Sequence, residues 1–281
     1  MRASASGRRR PVRRAALSCA GLLVALVVLS PYLVMLCTAA KPESELRATP
    51  PRLTPVQWRP GNFLEVLADP SFQAWLRASL VVALTSTVIV VLAATPAAYY
   101  TARHRFPGRS AFLLLVLVTQ MFSPTALVVG LYRQFFELGL IDTYAALILT
   151  NAAFNLAFAI WILRAFFAAI PREIEEAAAV DGCGRLRTLL QITLPLSLPA
   201  IVTAVIFAFI AAWNEYIVAL TLMTDPSRKP LTVGITSYVT AYVQHWNHLF
   251  AASVIAIVPV VVLFAVIERH LVGGLTAGSV K

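Results

Sequence analysis

Residues 200–223 read AIVTAVIFAFIAAWNEYIVALTLM, and Glu215 is the single charged residue in this run. A transmembrane helix needs about 20 consecutive, predominantly apolar residues, so the run predicts one membrane span. The composition of the whole chain agrees, because 59% of its 281 residues are hydrophobic and only 13% are charged. Soluble domains are about 45–50% apolar and about 25% charged. We therefore predict an all-α integral membrane protein rather than a soluble or disordered chain.

Five further apolar runs bring the prediction to six transmembrane helices. The first of them follows a cluster of arginines, and its apolar stretch of roughly 25 residues exceeds the length of about 7–15 residues found in cleavable signal peptides. We therefore expect an uncleaved anchor at this position. The predicted spans are Ala15–Ala40, Leu76–Tyr100, Ala111–Leu131, Thr143–Phe167, Ala200–Met223 and Phe250–Ile267.

Basic residues between the runs predict the orientation of the chain. If the N-terminus lies inside the cell, 15 of the 23 Lys and Arg residues fall on the inner side. This bias agrees with the positive-inside rule, so both termini are expected to be cytoplasmic. The predicted parts are a basic cytoplasmic tail (1–14), a first span with a Pro-rich extracytoplasmic loop and a short helix at Asn62–Ala68 (15–75), a core of five helices with a cytoplasmic loop at 168–199 (76–268), and a cytoplasmic C-terminal tail (269–281).

Several function classes are excluded because their sequence patterns do not occur. The sequence contains no G-x-x-x-x-G-K-[ST] loop, so the chain does not bind ATP through that motif. It contains no G-x-S-x-G or H-E-x-x-H pattern either, and we predict neither enzymatic activity nor a cofactor bound by this chain. The basic N-terminal tail predicts contact with anionic lipid rather than nucleic acid. His245 and His248 have no Asp, Glu or Cys nearby in sequence, so no metal site is predicted.

The cytoplasmic loop contains the sequence IPREIEEAAAVDGCG at residues 170–184. Pro171 suits the first position of a helix, the glutamates follow where the helix dipole favours negative charge, and Gly182 suits the end of a helix. The pattern therefore predicts a helix of about three turns, and Pro195 and Pro199 then break the helix before the fifth span. Small alanine side chains on this helix let the surface of another protein approach closely. The residues predicted to share that face are Ile174, Ala177, Ala178 and Asp181.

A spaced pattern in this loop resembles the cytoplasmic coupling motif of the membrane subunits of bacterial ABC importers. The pattern is E-A-A, three residues, G, nine residues and I-x-L-P. It is matched without a gap by Glu176-Ala177-Ala178, Gly182 and Ile192-Thr193-Leu194-Pro195. Three other segments resemble the carbohydrate-uptake branch and its MalG-type subunit: GLIDT at 139–143, Trp213-Asn214-Glu215, and GGLTAGSVK at 273–281.

This resemblance implies a multi-pass permease subunit of an importer in the bacterial cytoplasmic membrane. The implied partners are a second homologous permease subunit, ATPase subunits that bind ATP and Mg, an extracytoplasmic substrate-binding protein and membrane lipid. The loop helix is expected to dock in a cleft of an ATPase subunit, so that closure of the ATPase pair drives alternating access. The residues that the resemblance assigns to this coupling are Glu175, Glu176, Ala177, Ala178, Asp181, Gly182, Ile192, Leu194 and Pro195.

Polar residues within the predicted spans are candidates for the translocation path. Glu215 is costly inside a membrane, and it either lines or gates the path or fixes helix packing through a hydrogen bond. Asn151 and Asn155 share one helix face, and they either contact sugar hydroxyls or bond between helices. The substrate class stays open between sugars, polyols and glycerol-phosphate esters, and a secondary transporter is the alternative from another class. The candidate path residues are Gln120, Asn151, Asn155, Trp213, Asn214 and Glu215.

Overall fold

The structure, a computed structural model, describes residues 9–50, 52–240, 242 and 244–276. Residues 1–8 of the predicted basic tail and residues 277–281 of the C-terminal motif lie outside the described residues. Within the described ranges the regular elements are helices, accompanied by one isolated bridge between Val239 and Gln244. The helices are α1 (Arg9–Ala39), α2 (Glu43–Leu46), α3 (Gly61–Ala68), α4 (Pro70–Arg103), α5 (Arg109–Thr119), α6 (Pro124–Glu137), α7 (Tyr144–Ala169), α8 (Arg172–Val180), α9 (Arg185–Thr188), a π-helical segment (Leu189–Thr193), α10 (Leu194–Leu196), α11 (Leu198–Trp213), α12 (Ile217–Leu222), α13 (Leu231–Gly234), a 3-10 turn (Ile235–Tyr238) and α14 (Trp246–Thr276).

The chain divides into two compact units. The first contains the described residues up to Ala68 together with Tyr238–Ile255. The second contains Asp69–Ser237 and the described residues from Ala256 onward.

In the first unit, Asn62 ties the end of α1 to the start of α3. Asn62 is fully buried, and its Nδ2 donates hydrogen bonds to the carbonyl oxygens of Ala39, at 2.7 Å, and Lys41, at 2.9 Å. These bonds satisfy backbone acceptors at the C-terminus of α1 that have no partner within the helix. The short helix expected at Asn62–Ala68 is confirmed as α3.

Two histidines of the first unit lie beside carboxylates that are distant in sequence. His248 Nε2 lies 3.0 Å from Glu65 Oε2, and His245 Nδ1 lies 3.3 Å from Glu43 Oε2. The hydrogen bond from His248 holds the pKa of the Glu65 carboxyl below its ordinary value. Among the residues that the structure describes, no group of three or more potential metal ligands occurs.

The core of the second unit forms where α4, α7 and α11 pack together. Small residues at this contact allow the helix backbones to approach closely, as is typical of helix packing in membranes. Large apolar side chains on other faces of the same helices, such as Leu84, Leu149 and Phe207, are exposed and suited to contact with lipid. The buried alanines of the contact include Ala94, Ala98, Ala157, Ala204 and Ala208.

Four of the six predicted spans correspond to single helices that are long and apolar enough to cross a membrane: α1, α4, α7 and α14. The other two runs are interrupted, contrary to the continuous spans that the sequence predicts. The run Ala111–Leu131 contains parts of α5 and α6, whose axes differ by 96°. The run Ala200–Met223 contains most of α11 and all of α12. By length and composition the described residues thus hold four candidate spans, or up to six if two bent pairs each count as one span: α5 with α6, and Arg185–Leu196 with α11.

Local chemistry explains both interruptions. Pro124 has no N–H and disfavours helical geometry at the residue before it, and Ser123 is accordingly extended with ψ of 133°. Between α11 and α12, the Glu215 carboxylate accepts hydrogen bonds from the N–H groups of Val218 and Ala219, at 2.7 and 2.8 Å. A side chain that satisfies the first donors of α12 favours a new helix start over a continued helix.

Asp142 joins the segment before α7 to the segment after α12. Its carboxylate accepts hydrogen bonds from the N–H groups of Thr224 and Asp225, at 2.6 and 2.9 Å, and from the Thr224 hydroxyl. Its carbonyl oxygen accepts from Arg228 Nη1 at 2.9 Å, and its N–H donates to Leu222 O at 3.1 Å. The Thr224 hydroxyl, assisted by these N–H groups, lowers the pKa of the Asp142 carboxyl below its ordinary value. The GLIDT segment at 139–143 therefore has a structural role, because Asp142 links two loops through hydrogen bonds.

Candidate functional site

The predicted loop helix is present as α8, and its end is closed by backbone bonds. Pro171 stands at the N-cap, one residue before the helix begins. At the other end Gly182 adopts φ of +79°, which glycine tolerates without a steric penalty. The Gly182 N–H donates to Ala179 O at 3.1 Å and the Cys183 N–H donates to Ala178 O at 2.9 Å. This pair of bonds is the Schellman arrangement that terminates many helices.

The side chains of α8 divide between an inner and an outer surface. Glu176, Ala177 and Asp181 are exposed, whereas Ala178 is buried at 5% exposure. The predicted shared face is therefore split, because Ala178 packs inward while its neighbours stay accessible. Val180, beside this outer surface, is 87% exposed.

The chain after α8 turns sharply before it enters α11. Residues Arg185–Leu196 form one helical rod that meets α11 at 79°. Ser197 at the corner is fully buried, and its hydroxyl donates to Thr193 O at 2.7 Å. Pro195 and Pro199 flank this corner, so the predicted break at the two prolines is confirmed. Of the remaining candidate residues, Ile192 and Leu194 are half-buried and Pro195 is exposed.

Glu175 points inward, unlike Glu176. Its Oε1 accepts hydrogen bonds from Arg103 Nε at 2.9 Å and from the Thr193 hydroxyl at 3.0 Å. Its Oε2 accepts from the Tyr99 hydroxyl at 3.2 Å. No sequence motif marks Arg103, Tyr99 or Thr193, because Arg103 contributes to the sequence prediction only as a basic residue that indicates orientation, and hydroxyl groups at the ends of helices belong to no motif.

A cleft of about 410 Å³ opens beside α8. Charged groups of both signs line it, and it is continuous with the surface that carries Glu176. A protein partner that presents both acidic and basic side chains would complement such a surface. The Arg, His and Glu residues of the lining are Arg103, His104, Arg172, Glu175, Glu176 and Arg185.

The two asparagines of α7 bond to their own helix. Asn151 Nδ2 donates to Leu147 O at 2.9 Å, and Asn155 Nδ2 donates to Asn151 O at 2.8 Å. Asn151 also borders a small internal cavity together with Ser79 and Glu215. Two of the candidate path residues, Asn151 and Glu215, are therefore brought to one place.

The remaining candidate path residues lie apart from that cavity lining. Gln120 is exposed at the C-cap of α5. Trp213 is buried and stacks on Phe209 with ring centroids 5.6 Å apart. Asn214 is the exposed C-cap of α11. Each of these side chains stands at or next to the end of a helix.

We expect Glu215→Gln to lower stability slightly and to leave transport per assembled complex close to the wild-type value. The carboxylate uses both oxygens to accept two N–H groups of α12, whereas a Gln amide offers one acceptor oxygen. Weakening such a cap costs about 1 kcal/mol of unfolding free energy. Thermal melting and substrate uptake of the purified complex test this.

Asp69→Asn is the matched control, because an Asn keeps one oxygen for the Ser71 N–H that Asp69 caps. Lost uptake in a Glu215→Gln complex of unchanged stability would assign Glu215 to the path instead.

Comparisons with known proteins give one consistent result. Residues 91–276 match the family described as "Binding-protein-dependent transport system inner membrane component". The chain is 33% identical to the trehalose/maltose transport system permease protein MalG of Thermococcus litoralis, over 98% of this chain and 99% of the relative. It is 35% identical to the sulfoquinovosyl glycerol transport system permease protein SmoH of Agrobacterium fabrum, over 90% of this chain and 89% of the relative.

A solved structure has the same fold. A chain of a bacterial ABC transporter involved in the import of the acidic polysaccharide alginate matches with a TM-score of 0.78 and 24% identity, over 96% of this chain and 99% of that chain. The loop motif resembles that of ABC importer permeases, and the family match and the two relatives confirm this resemblance. This chain belongs to the family of binding-protein-dependent transport system inner membrane components, which are the permease subunits of ABC importers.

Proposed function

We propose that this chain forms half of the translocation path of an ATP-driven importer for a sugar or a related carbohydrate. The two relatives support the substrate class, since trehalose, maltose and sulfoquinovosyl glycerol all contain glycosidic sugars. The related transporter of known structure imports a polysaccharide. The observation that carries the coupling role is the exposed outer surface of α8, which presents Glu176 and Ala177 of the spaced loop motif.

In this proposal the chain crosses the membrane six times, with α5 and α6 forming one span and α11 and α12 forming another. Both termini are cytoplasmic, and α8 lies in a cytoplasmic loop over 168–199. The excess of Lys and Arg on that side supports this orientation. The parts are a tail at 1–14, the first span and external loop at 15–75, the permease core at 76–268 and a tail at 269–281.

The proposed complex contains further chains. A second, homologous permease subunit completes the path, and ATPase subunits bind ATP and Mg and receive α8. An extracytoplasmic binding protein delivers the substrate, as the family description implies. The sequence contains no phosphate-binding loop of its own, which supports the proposal that separate ATPase subunits bind ATP. In this proposal no cofactor is bound by this chain.

Purification of a tagged chain from its native membranes in mild detergent tests the proposal. We expect mass spectrometry to identify an ATPase, a second permease and a binding protein in the same complex. The recovered binding protein is then titrated with disaccharides, larger oligosaccharides, polyols and glycerol-phosphate esters, and the ligand that binds identifies the substrate class. Recovery of a monodisperse chain alone, with uptake driven by an ion gradient, would instead identify a secondary transporter.

A further inference from the structure

We propose that Arg103, together with Glu175, positions the coupling helix α8 on the core of its own subunit, so that movement of α8 is passed to α4. This proposal rests on the proposed function of α8. It assigns Glu175 an inward role that differs from the docking role of Glu176.

Arg103 connects α8 to the ends of two long helices. It is one residue from the C-cap of α4, and its Nη1 donates to the carbonyl of Ile170, the C-cap residue of α7, at 2.9 Å. Its Nε donates to Glu175 Oε1 on α8 at 2.9 Å. A guanidinium can make both contacts at once because its donors point in fixed, different directions. The C-terminus of α7 also favours a nearby positive charge.

The carboxylate of Glu175 extends the same connection to a fourth element. The Thr193 hydroxyl, in the π-helical segment before α11, donates to Oε1, and the Tyr99 hydroxyl on α4 donates to Oε2. Thr193 is fully buried. One ion pair and its hydrogen bonds therefore hold α8 against α4, the end of α7 and the segment that leads into α11.

Burial distinguishes this pair from the other ion pairs that the structure describes. The side chains of Arg103 and Glu175 are 7% and 16% exposed, whereas those of the Arg133–Glu137 pair are 84% and 63% exposed. Exposed pairs contribute little to stability or geometry. Removal of one partner from a buried pair leaves an uncompensated charge, which is strongly destabilising. The Arg103–Glu175 pair is thus able to keep α8 in one orientation while a partner moves it.

The segments that flank α8 make such a connection necessary. Pro171 precedes the helix and Gly182 follows it, so the chain bends on both sides of α8. Without a side-chain connection, a partner that displaces α8 would rotate it about these bends. With the connection, the displacement reaches α4 through Arg103.

The test compares Glu175→Gln with Glu137→Gln in the complete complex with its ATPase, partner permease and binding protein. We expect Glu175→Gln to reduce both the stimulation of ATP hydrolysis by the binding protein and the substrate transported per ATP, by about tenfold, because α8 loses the ion pair that holds it to Arg103 of α4. Glu137→Gln, the same change in an exposed pair, is expected to leave both values unchanged. Stimulation and transport by the assembled Glu175→Gln complex within about twofold of wild type would overturn the proposal, since movement of α8 would then reach α4 without the pair.

Two further variants separate the effect of the ion pair on the position of α8 from its effect on the stability of the subunit. Arg103→Lys keeps the charge, but a lysine side chain cannot reach Glu175 and Ile170 together. We therefore expect the complex to assemble normally and the stimulation of ATP hydrolysis to be reduced. The double variant Arg103→Gln with Glu175→Gln removes both charges, so we expect its melting temperature to recover while stimulation stays low. Full recovery of stimulation in the double variant would show that the pair acts through stability alone and would overturn the proposal. Failure of the wild-type chain to retain any ATPase would instead overturn the proposed function.

Discussion

Glu176→Lys is expected to abolish the stimulation of ATP hydrolysis by the binding protein while the amount of this chain in the membrane stays unchanged. Glu176 lies on the exposed outer surface of α8, and within the described residues it forms no ion pair. Its substitution therefore disturbs little inside the subunit. If docking buries Glu176 in a charge pair, in contrast, loss of that partner costs about 2–5 kcal/mol of binding free energy, and a reversed charge adds repulsion. Purified complex, assayed for ATP hydrolysis with and without binding protein, provides the measurement.

Glu173→Lys is the control for this change. Glu173 is exposed on the same helix and carries the same charge, but it lies outside the spaced motif. We expect Glu173→Lys to retain most of the stimulation. Equal losses in both variants would indicate a general effect of charge on α8, and normal stimulation in Glu176→Lys would contradict the docking role.

Gly234→Ala is expected to cause the largest loss of stability. A Cβ atom at position 234 would lie 2.7 Å from Cε2 of the Trp75 ring and closer still to Cδ2 and Cγ. The ring cannot easily move aside, because Trp75 is 6% exposed and its Nε1 donates to Pro226 O at 3.0 Å. Overpacking of this kind costs up to about 3 kcal/mol. For a domain of this size that corresponds to a fall of about 10 °C in melting temperature.

Gly130→Ala provides the comparison for that measurement. A Cβ atom at Gly130, within α6, meets nothing within 4 Å. Alanine is also a better helix former than glycine, so we expect an unchanged or slightly higher melting temperature. A melting temperature of Gly234→Ala equal to that of Gly130→Ala would contradict the close packing of Trp75 on α13.

Average composition predicts the long helices of this chain well and their interruptions poorly. The ends of α4 and α7 lie within about six residues of the predicted spans, a scatter expected for element boundaries. The breaks at Ser123 and Glu215 depend on single residues, which a window of about 20 residues averages away. Pro124 was a visible signal for the first break. Glu215 was visible as a charge, but its capping of α12 depends on side-chain geometry.

For the loop helix α8, local sequence predicts the bounds of the helix but not which of its side chains point inward. Its existence, its end at Gly182 and the following break at the prolines were all predictable from local chemistry. Which glutamate points inward was not, because the deciding partner of Glu175 is Arg103, 72 residues earlier in the chain. The inward packing of Ala178 depends in the same way on contacts that a helix drawn in isolation does not contain.

Helix α4 links two contacts that were described separately. It runs for 34 residues, about 51 Å at 1.5 Å per residue, which is longer than the hydrocarbon core of a bilayer, about 30 Å. Trp75 near its first turn packs on Gly234, and Arg103 at its last residue holds α8. These two anchor points are about 42 Å apart along the helix axis. On the coupling role proposed above, a tilt of about 5° of α4 about one anchor would displace the other by about 4 Å, so a small rotation at Trp75 would become a movement of atomic size at Arg103.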